Sequence, residues 1–297
     1  MSSPILMLTG PTAVGKTQCS LDLAERLNAE IISADSRQVY RGLDIGTAKP
    51  SPEELSQVPH HFINERALGE PFSAGIFAQE ANERIADILA RGKTPLIVGG
   101  STLYLHALKF GLAAIPPIPP NIRQRLNRRL EMEGSQGLFG ELQRSDPEYA
   151  ATLDPTKTQR IVRGLEVYIG TGRPLSSFFK DQPPPPFTYK TIVLNRPREE
   201  LYARINRRVD TMLANGLLQE TRALLDQGCE PTLNPLRTIG YHESIAHILG
   251  HINHEEMTRL MKRNSRRYAK RQITWFKRFD DFLWINAEPD FDVFNLQ

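Results

Sequence analysis

The run MLTGPTAVGKTQ, residues 7 to 18, constrains the fold of this chain more than any other stretch. Gly10, Gly15, Lys16 and Thr17 meet the spacing G-x-x-x-x-G-K-[ST], with an apolar strand pattern before them and a helix pattern after. In that context glycines let backbone amides close around phosphate oxygens, and the start of the helix adds partial positive charge. Pro11, Thr12, Ala13 and Val14 complete the loop. Lys16 can neutralise phosphate, and the Thr17 hydroxyl is a ligand suited to Mg²⁺. The loop is therefore expected to be a nucleotide-binding, ATP-binding type of cradle at the first turn of a P-loop NTPase-like α/β core.

The stretches beyond the cradle fit that core. Short apolar runs, ILML, EIISA and PLIVGG, alternate with amphipathic stretches, the pattern of βαβ units around a parallel sheet. Two proline clusters, IPPIPP at 115 to 120 and PPPP at 183 to 186, enclose segments that read mainly as helix. The strand pattern resumes at YKTIVLNR. A mainly helical domain over 116–186 is thus expected as an insertion into a core made of 1–115 and 187–297. The chain beyond 195 is expected to be a helical C-terminal region, beginning with Leu201, Ile205, Val209 and Met212 at helical spacing.

A nucleotide hydrolase also needs a carboxylate at the end of a later apolar strand to help hold its metal. The strand ending at Gly99, Gly100, Ser101 and Thr102 has none; the strand EIISA ends in Asp35. Asp35 is left with two roles that spacing cannot separate, metal ligand or general base. Its neighbours Arg37, Gln38 and Tyr40 suit a polar, planar partner. Two cysteines among 297 residues cannot make a disulfide framework or a four-cysteine zinc site. His60 and His61, and His251 and His254, have no cysteines to share a metal with. No run of about 18 apolar residues predicts a membrane span. The apolar strand starts within four residues of the N-terminus, so a cytoplasmic protein is expected.

Net charge is only +3, but its distribution is uneven. Residues 259 to 278 hold nine basic side chains and no acid. Projected as a helix, Met257, Met261, Tyr268, Trp275 and Phe279 fall on one line, an apolar stripe expected to face the core. The basic residues lie mostly on the other face, which favours a phosphate-bearing partner. Arg123, Arg125, Arg128 and Arg129 form a second cluster at the start of the insertion.

The segments GPTAVGKT, ADSRQVYRGLDIGTAKP, VPHH, VGGSTLYL, QRIVRGLEVY with TGRPLS, RTIGYHE and YAKRQITWF together resemble the tRNA dimethylallyltransferase (tRNA isopentenyltransferase) family over residues 8 to 277. The resemblance implies transfer of a dimethylallyl group from dimethylallyl diphosphate to the exocyclic N6 amine of the adenosine immediately 3′ of the anticodon, in tRNAs reading codons that begin with U. It implies a diphosphate in the cradle that leaves whole, which accounts for the missing second acid. It makes Asp35 the proton acceptor and places Lys16 and Ser101 beside it at the reacting centre, with Ser101 standing where the family usually has threonine. Mg²⁺ would sit near Thr17, and Arg208 would add charge at the diphosphate. The anticodon stem-loop is expected to meet Asp35, Ser36, Arg37, Gln38, Ser101 and Arg123. In the insertion it would meet Gln159, Arg160, Ile161, Val162 and Arg163. Further along it would meet Arg237, Thr238, Ile239, Gly240, Tyr241 and His242, then Lys270, Arg271, Gln272, Ile273, Thr274, Trp275, Phe276 and Lys277. No membrane partner is implied, and a monomer is expected. Alternatives are an adenylate isopentenyltransferase acting on free nucleotide and a P-loop small-molecule kinase.

Overall fold

A computed structural model describes residues 3–287. The chain divides into two compact units, one of Met1–Lys109 with Pro186–Gln297 and one of Phe110–Pro185; the expected core includes residues 1, 2 and 288–297, which lie outside the described residues.

In the first unit the order is β1 (Ile5–Thr9), α1 (Lys16–Leu27), β2 (Ala29–Ala34), α2 (Pro52–Gln57), β3 (His60–His61), α3 (Ala74–Ala90), β4 (Thr94–Gly99) and α4 (Thr102–Phe110). The second unit carries α5 (Pro120–Glu133), α6 (Ser135–Ser145), α7 (Pro147–Ala150), α8 (Thr158–Thr171) and α9 (Leu175–Lys180). The first unit then resumes with β5 (Tyr189–Asn195), α10 (Arg198–Ala214), α11 (Leu217–Asp226), a short 3-10 turn (Asn234–Arg237), α12 (Tyr241–Ile248), α13 (His254–Phe276) and β6 (Leu283–Asn286).

All six strands pair in parallel in the order β3-β2-β4-β1-β5-β6. The central strands are buried on both faces, which is why they read as continuous apolar runs. Register aligns Thr9 of β1 and Ala34 of β2 each with Gly99 of β4. Thr9 Oγ1 donates to Gly99 O at 2.7 Å, locking two strand ends together. The three strands therefore finish level, and the loops that leave them share one carboxyl-end crevice, the place where open parallel sheets bind ligands. The region beyond 195 is mainly helical, as expected, and adds one strand, β6, to the sheet edge beside β5. Its four residues are too few for a periodicity to register.

In the second unit Leu126, Leu138, Leu142, Ile161, Val162 and Leu165 form a helical core. This unit starts before the proline run because Ala113, Ile115 and Ile118 pack against Val167, Leu175 and Phe178. Gln182 also ties back by donating its side-chain amide to Phe110 O. Buried Asp146 accepts from the backbone N–H and hydroxyl of Ser176 at 2.9 and 2.6 Å and caps α7 through Tyr149 N, so the chain turns without unmet donors.

Candidate active site and its nucleic-acid face

The cradle forms between β1 and α1. Gly10 has φ 146°, and a Cβ there would lie 2.6 Å from Leu194 O of β5, so only glycine lets the loop leave the sheet at this point. Two arginines from α10 and the residues just before it hold the loop from outside. Arg196 Nε donates to Val14 O and Arg204 Nε to Ala13 O, each at 2.8 Å. Sequence reasoning missed both, since each acts across more than 180 residues and neither belongs to a motif.

Lys16 donates from Nζ to Gly10 O and Pro11 O at 2.9 and 3.0 Å. Burial lowers its pKa to about 8; the Arg208 charge pushes the same way and Asp35 opposes it. Burial likewise lowers the pKa of Arg208, against the pull of Asp35. Two half-buried cations, beside Arg204 and Arg207 in the wall of one cavity of about 510 Å³, make a place that an anion would stabilise. Arg208, named from the sequence, lines this cavity with Lys16, and so does Arg207, which was not.

Asp35 follows β2 directly. Its Oδ1 accepts from Arg37 N at 2.9 Å and Gln38 N at 3.4 Å, which fixes the carboxylate by the turn it begins and leaves Oδ2 for a ligand. Ser101 follows β4, and its Oγ accepts from Ser36 N at 2.9 Å, so its hydroxyl proton is available to another acceptor. Asp35, Ser36, Arg37 and Ser101 line a second cavity of about 390 Å³, together with Arg237, Thr238, Ile239, Gly240 and Arg271. Its apolar wall is Ile205, Val209, Met212 and Met261. Thr12, Asp35, Arg208 and Tyr268 line both cavities, so a cationic compartment and a mixed polar and apolar compartment meet at Asp35.

Tyr268 corrects an expectation. It is half-buried and lines both cavities, whereas Met257 of the same stripe is fully buried and Met261, also buried, lines the second cavity. Trp275 packs beside His106, Phe276, Phe279 and Phe282.

Several residues expected to meet tRNA point elsewhere. Ile161 and Val162 are in the core of the second unit, and Phe276 is in that of the first, all fully buried. Tyr241, also fully buried, donates its hydroxyl to Glu220 and accepts from Gly46 N. Gln272 is 2% exposed, with both ends of its amide bonded to backbone. Gln38 donates to Thr47 O and Ala48 O and accepts from Ser33 Oγ. These side chains satisfy buried donors and acceptors or fill cores, so the expected contact surface narrows to their neighbours.

Those neighbours are exposed. In the second unit Gln159 and Arg160 face solvent, and Arg123 and Arg163 converge on the carboxylate of Glu166 at 3.4 and 2.9 Å. In α13 the basic residues divide. Arg259 pairs with Glu256 and Lys262 with Asp210, both at 2.6 Å, while Arg266 donates to Asn206 at 2.6 Å. Lys270, Arg271, Thr274 and Lys277 are exposed, and Ile273 is half-buried. Arg237 is exposed and lines the second cavity with half-buried Thr238 and Ile239, and His242 is exposed.

Thr17 lines a small cavity of about 70 Å³ with Asp35, Lys16 and Ser33. Among the described residues no group of three His, Cys, Asp or Glu side chains could hold a metal. No helix among them is long and apolar enough to cross a membrane.

Residues 38–279 match the family described as IPP transferase. The chain is 61% identical to the tRNA dimethylallyltransferase of Salinibacter ruber, over 97% of this chain and 89% of that one. It is 49% identical to that of Chlorobium chlorochromatii, over 95% and 93%. Among solved structures it is similar to the full-length tRNA isopentenylpyrophosphate transferase of Bacillus halodurans, with 40% identity, a TM-score of 0.72 and coverage of 99% and 93%. It is also similar to a eukaryotic dimethylallyltransferase acting on tRNA, with 29% identity, a TM-score of 0.79 and coverage of 97% and 75%.

Proposed function

The chain belongs to the IPP transferase family, and from that premise we propose that this tRNA prenyltransferase moves a dimethylallyl group from dimethylallyl diphosphate to the N6 amine of the adenosine immediately 3′ of the anticodon, in tRNAs reading codons that begin with U. The observation that carries the reading is the junction of two compartments at Asp35, one lined by the cradle and cations, the other by hydrogen-bonding and apolar side chains.

In this reading the diphosphate lies against the cradle of residues 10–17, with Lys16 and Arg208 on its charge. The adenine leaves its stack to enter the second cavity, as bases do for enzymes that modify them. The amine nitrogen attacks the allylic C1 as the bond from C1 to the bridging oxygen breaks, so the electron pair and negative charge leave on pyrophosphate. Lys16 and Arg208 would stabilise that charge. The amine proton passes to Asp35, whose Oδ1 is fixed by two amides so that Oδ2 can receive it. Ser101, anchored through Ser36 N, orients the base at the same wall.

The donor set near Thr17 suits a hard cation: the Thr17 hydroxyl and the Asp35 carboxylate share a small cavity with Lys16, Ser20 and Ser33. Mg²⁺ held by Thr17 and the diphosphate, with Asp35 near, would supply further charge neutralisation on the leaving group. The exposed cations of α13 and of the second unit's α5 and α8 would meet the phosphates of the anticodon stem-loop, and the enzyme would work as a monomer in the cytoplasm with its tRNA. Incubation with labelled dimethylallyl diphosphate and, separately, tRNA, AMP or no acceptor tests this. Label in tRNA alone is expected. Label in AMP would make the free-nucleotide reading the better one.

A further inference from the structure

Helix α13 reaches the reacting centre in a second way. Gln272, nearly fully buried, accepts from Thr12 N at 2.9 Å through Oε1 and donates from Nε2 to Gly100 O at 2.8 Å. Thr12 lies in the cradle, and Gly100 is the residue before Ser101. One amide thus spans the start of the diphosphate loop and the end of β4, the two walls between which donor and acceptor must meet. The fit is close. A Cβ on Gly100 would stand 2.5 Å from Gln272 Nε2, so the glycine makes room for the amide. The residue before it on the helix, Arg271, lines the acceptor cavity, and Lys270 beside that is exposed.

We infer that Gln272 is a positioning residue: a clamp from the basic helix that sets the separation between the diphosphate cradle and the Ser101 side of the acceptor cavity. The inference rests on the prenyl-transfer reading above. Each half-site is built largely without Gln272, the cradle by Lys16, Arg196 and Arg204 and the acceptor wall by the Asp35 turn. Loss of the clamp should therefore spare binding of either substrate and misalign the two. Small misplacements of reacting atoms are costly, since the attacking and accepting atoms must be held near contact distance.

The test uses Gln272→Met, of similar size but unable to bond, and Gln272→Glu, which keeps an acceptor for Thr12 and turns an oxygen on Gly100 O. Gly100→Ala attacks the same clamp from the other side. With tRNA and dimethylallyl diphosphate saturating, each single-turnover rate is expected to fall about 10- to 100-fold. The Kd of dimethylallyl diphosphate alone and of tRNA alone should each stay within roughly threefold. Gln272→Met with Gly100→Ala should cost about as much as either alone, since both remove one interaction. Wild-type rates in a folded variant, losses that appear only in Kd, or full additivity of the two changes would overturn the clamp. Should one variant fail to fold, the other two still decide. Absence of turnover by the wild type would overturn the prenyl-transfer reading and this inference with it, an outcome distinct from the others.

Discussion

In the cradle, residues 10–17, the backbone amides and Lys16 belong to one unbroken piece of chain, which Arg196 and Arg204 hold by its carbonyls while Arg204, Arg207 and Arg208 of α10 share the cavity wall. In α13 the groups that meet the site come from successive turns, and each does something different. Tyr268 lines both cavities, Arg271 lines the acceptor cavity, and Gln272 is buried against backbone. The contrast teaches where local sequence determines chemistry. A motif made of backbone works wherever the chain bends the same way, whereas a helix assigns roles by angle, so residues 271 and 272 point in different directions.

That contrast can be broken first at Lys16. Lys16→Ala removes one cation from the leaving group, so prenyl transfer is expected to fall about 10²- to 10³-fold, read as a single-turnover rate with radiolabelled donor. tRNA affinity in a filter-binding assay should be unchanged. A parallel loss of tRNA affinity would mean that cradle and helix do not divide the two substrates.

The helix is tested next with Lys270, Arg271 and Lys277 all replaced by alanine. Each lost phosphate contact should make the salt dependence of tRNA binding shallower by roughly one unit of slope. Binding of dimethylallyl diphosphate in the absence of tRNA should not move. A salt titration with circular dichroism to confirm folding measures both. An unchanged slope would make this face merely solvated.

A gentler probe is pH. Burial lowers the Lys16 pKa to about 8 in the ligand-free site; a bound diphosphate favours the charged ammonium and raises it again. Affinity for dimethylallyl diphosphate is thus full below pH 8 and declines above it, by at most about tenfold per pH unit until the pKa in the complex is passed. Calorimetry across pH 7 to 10 should show this for the wild type and a flatter profile for Lys16→Met. Identical profiles would detach the effect from Lys16. The smallest effect is expected from Ser101→Ala. Its hydroxyl accepts from Ser36 N, and loss of such a bond costs about 0.5 to 1.5 kcal/mol, a few-fold in rate. The single-turnover rate of that variant checks it.

Much of the sheet and the cradle were legible because buried parallel strands read as apolar runs and the loop motif lies between a strand and a helix. The rest was hidden for physical reasons. Arg196 and Arg204 act through contacts between distant segments, which no local pattern carries. Gln38 and Gln272 are the residue type that binds bases, yet here their amides satisfy buried backbone, and only the three-dimensional partners tell the two uses apart. Tyr268 fell on an apolar stripe, and the stripe did not show that its middle overlooks a cavity. The edge strand β6 was too short to announce itself.

The central claim is that the two substrates bind through different parts of the chain and react at Asp35. The most direct measurement is a single turnover of Asp35→Asn in the preformed complex with tRNA and dimethylallyl diphosphate. Asparagine keeps the size of the side chain and an oxygen for the turn's amides, but it is no base. The rate is predicted to fall about 10²- to 10⁴-fold, with both dissociation constants close to wild type. A near-normal rate from that complex would contradict the account.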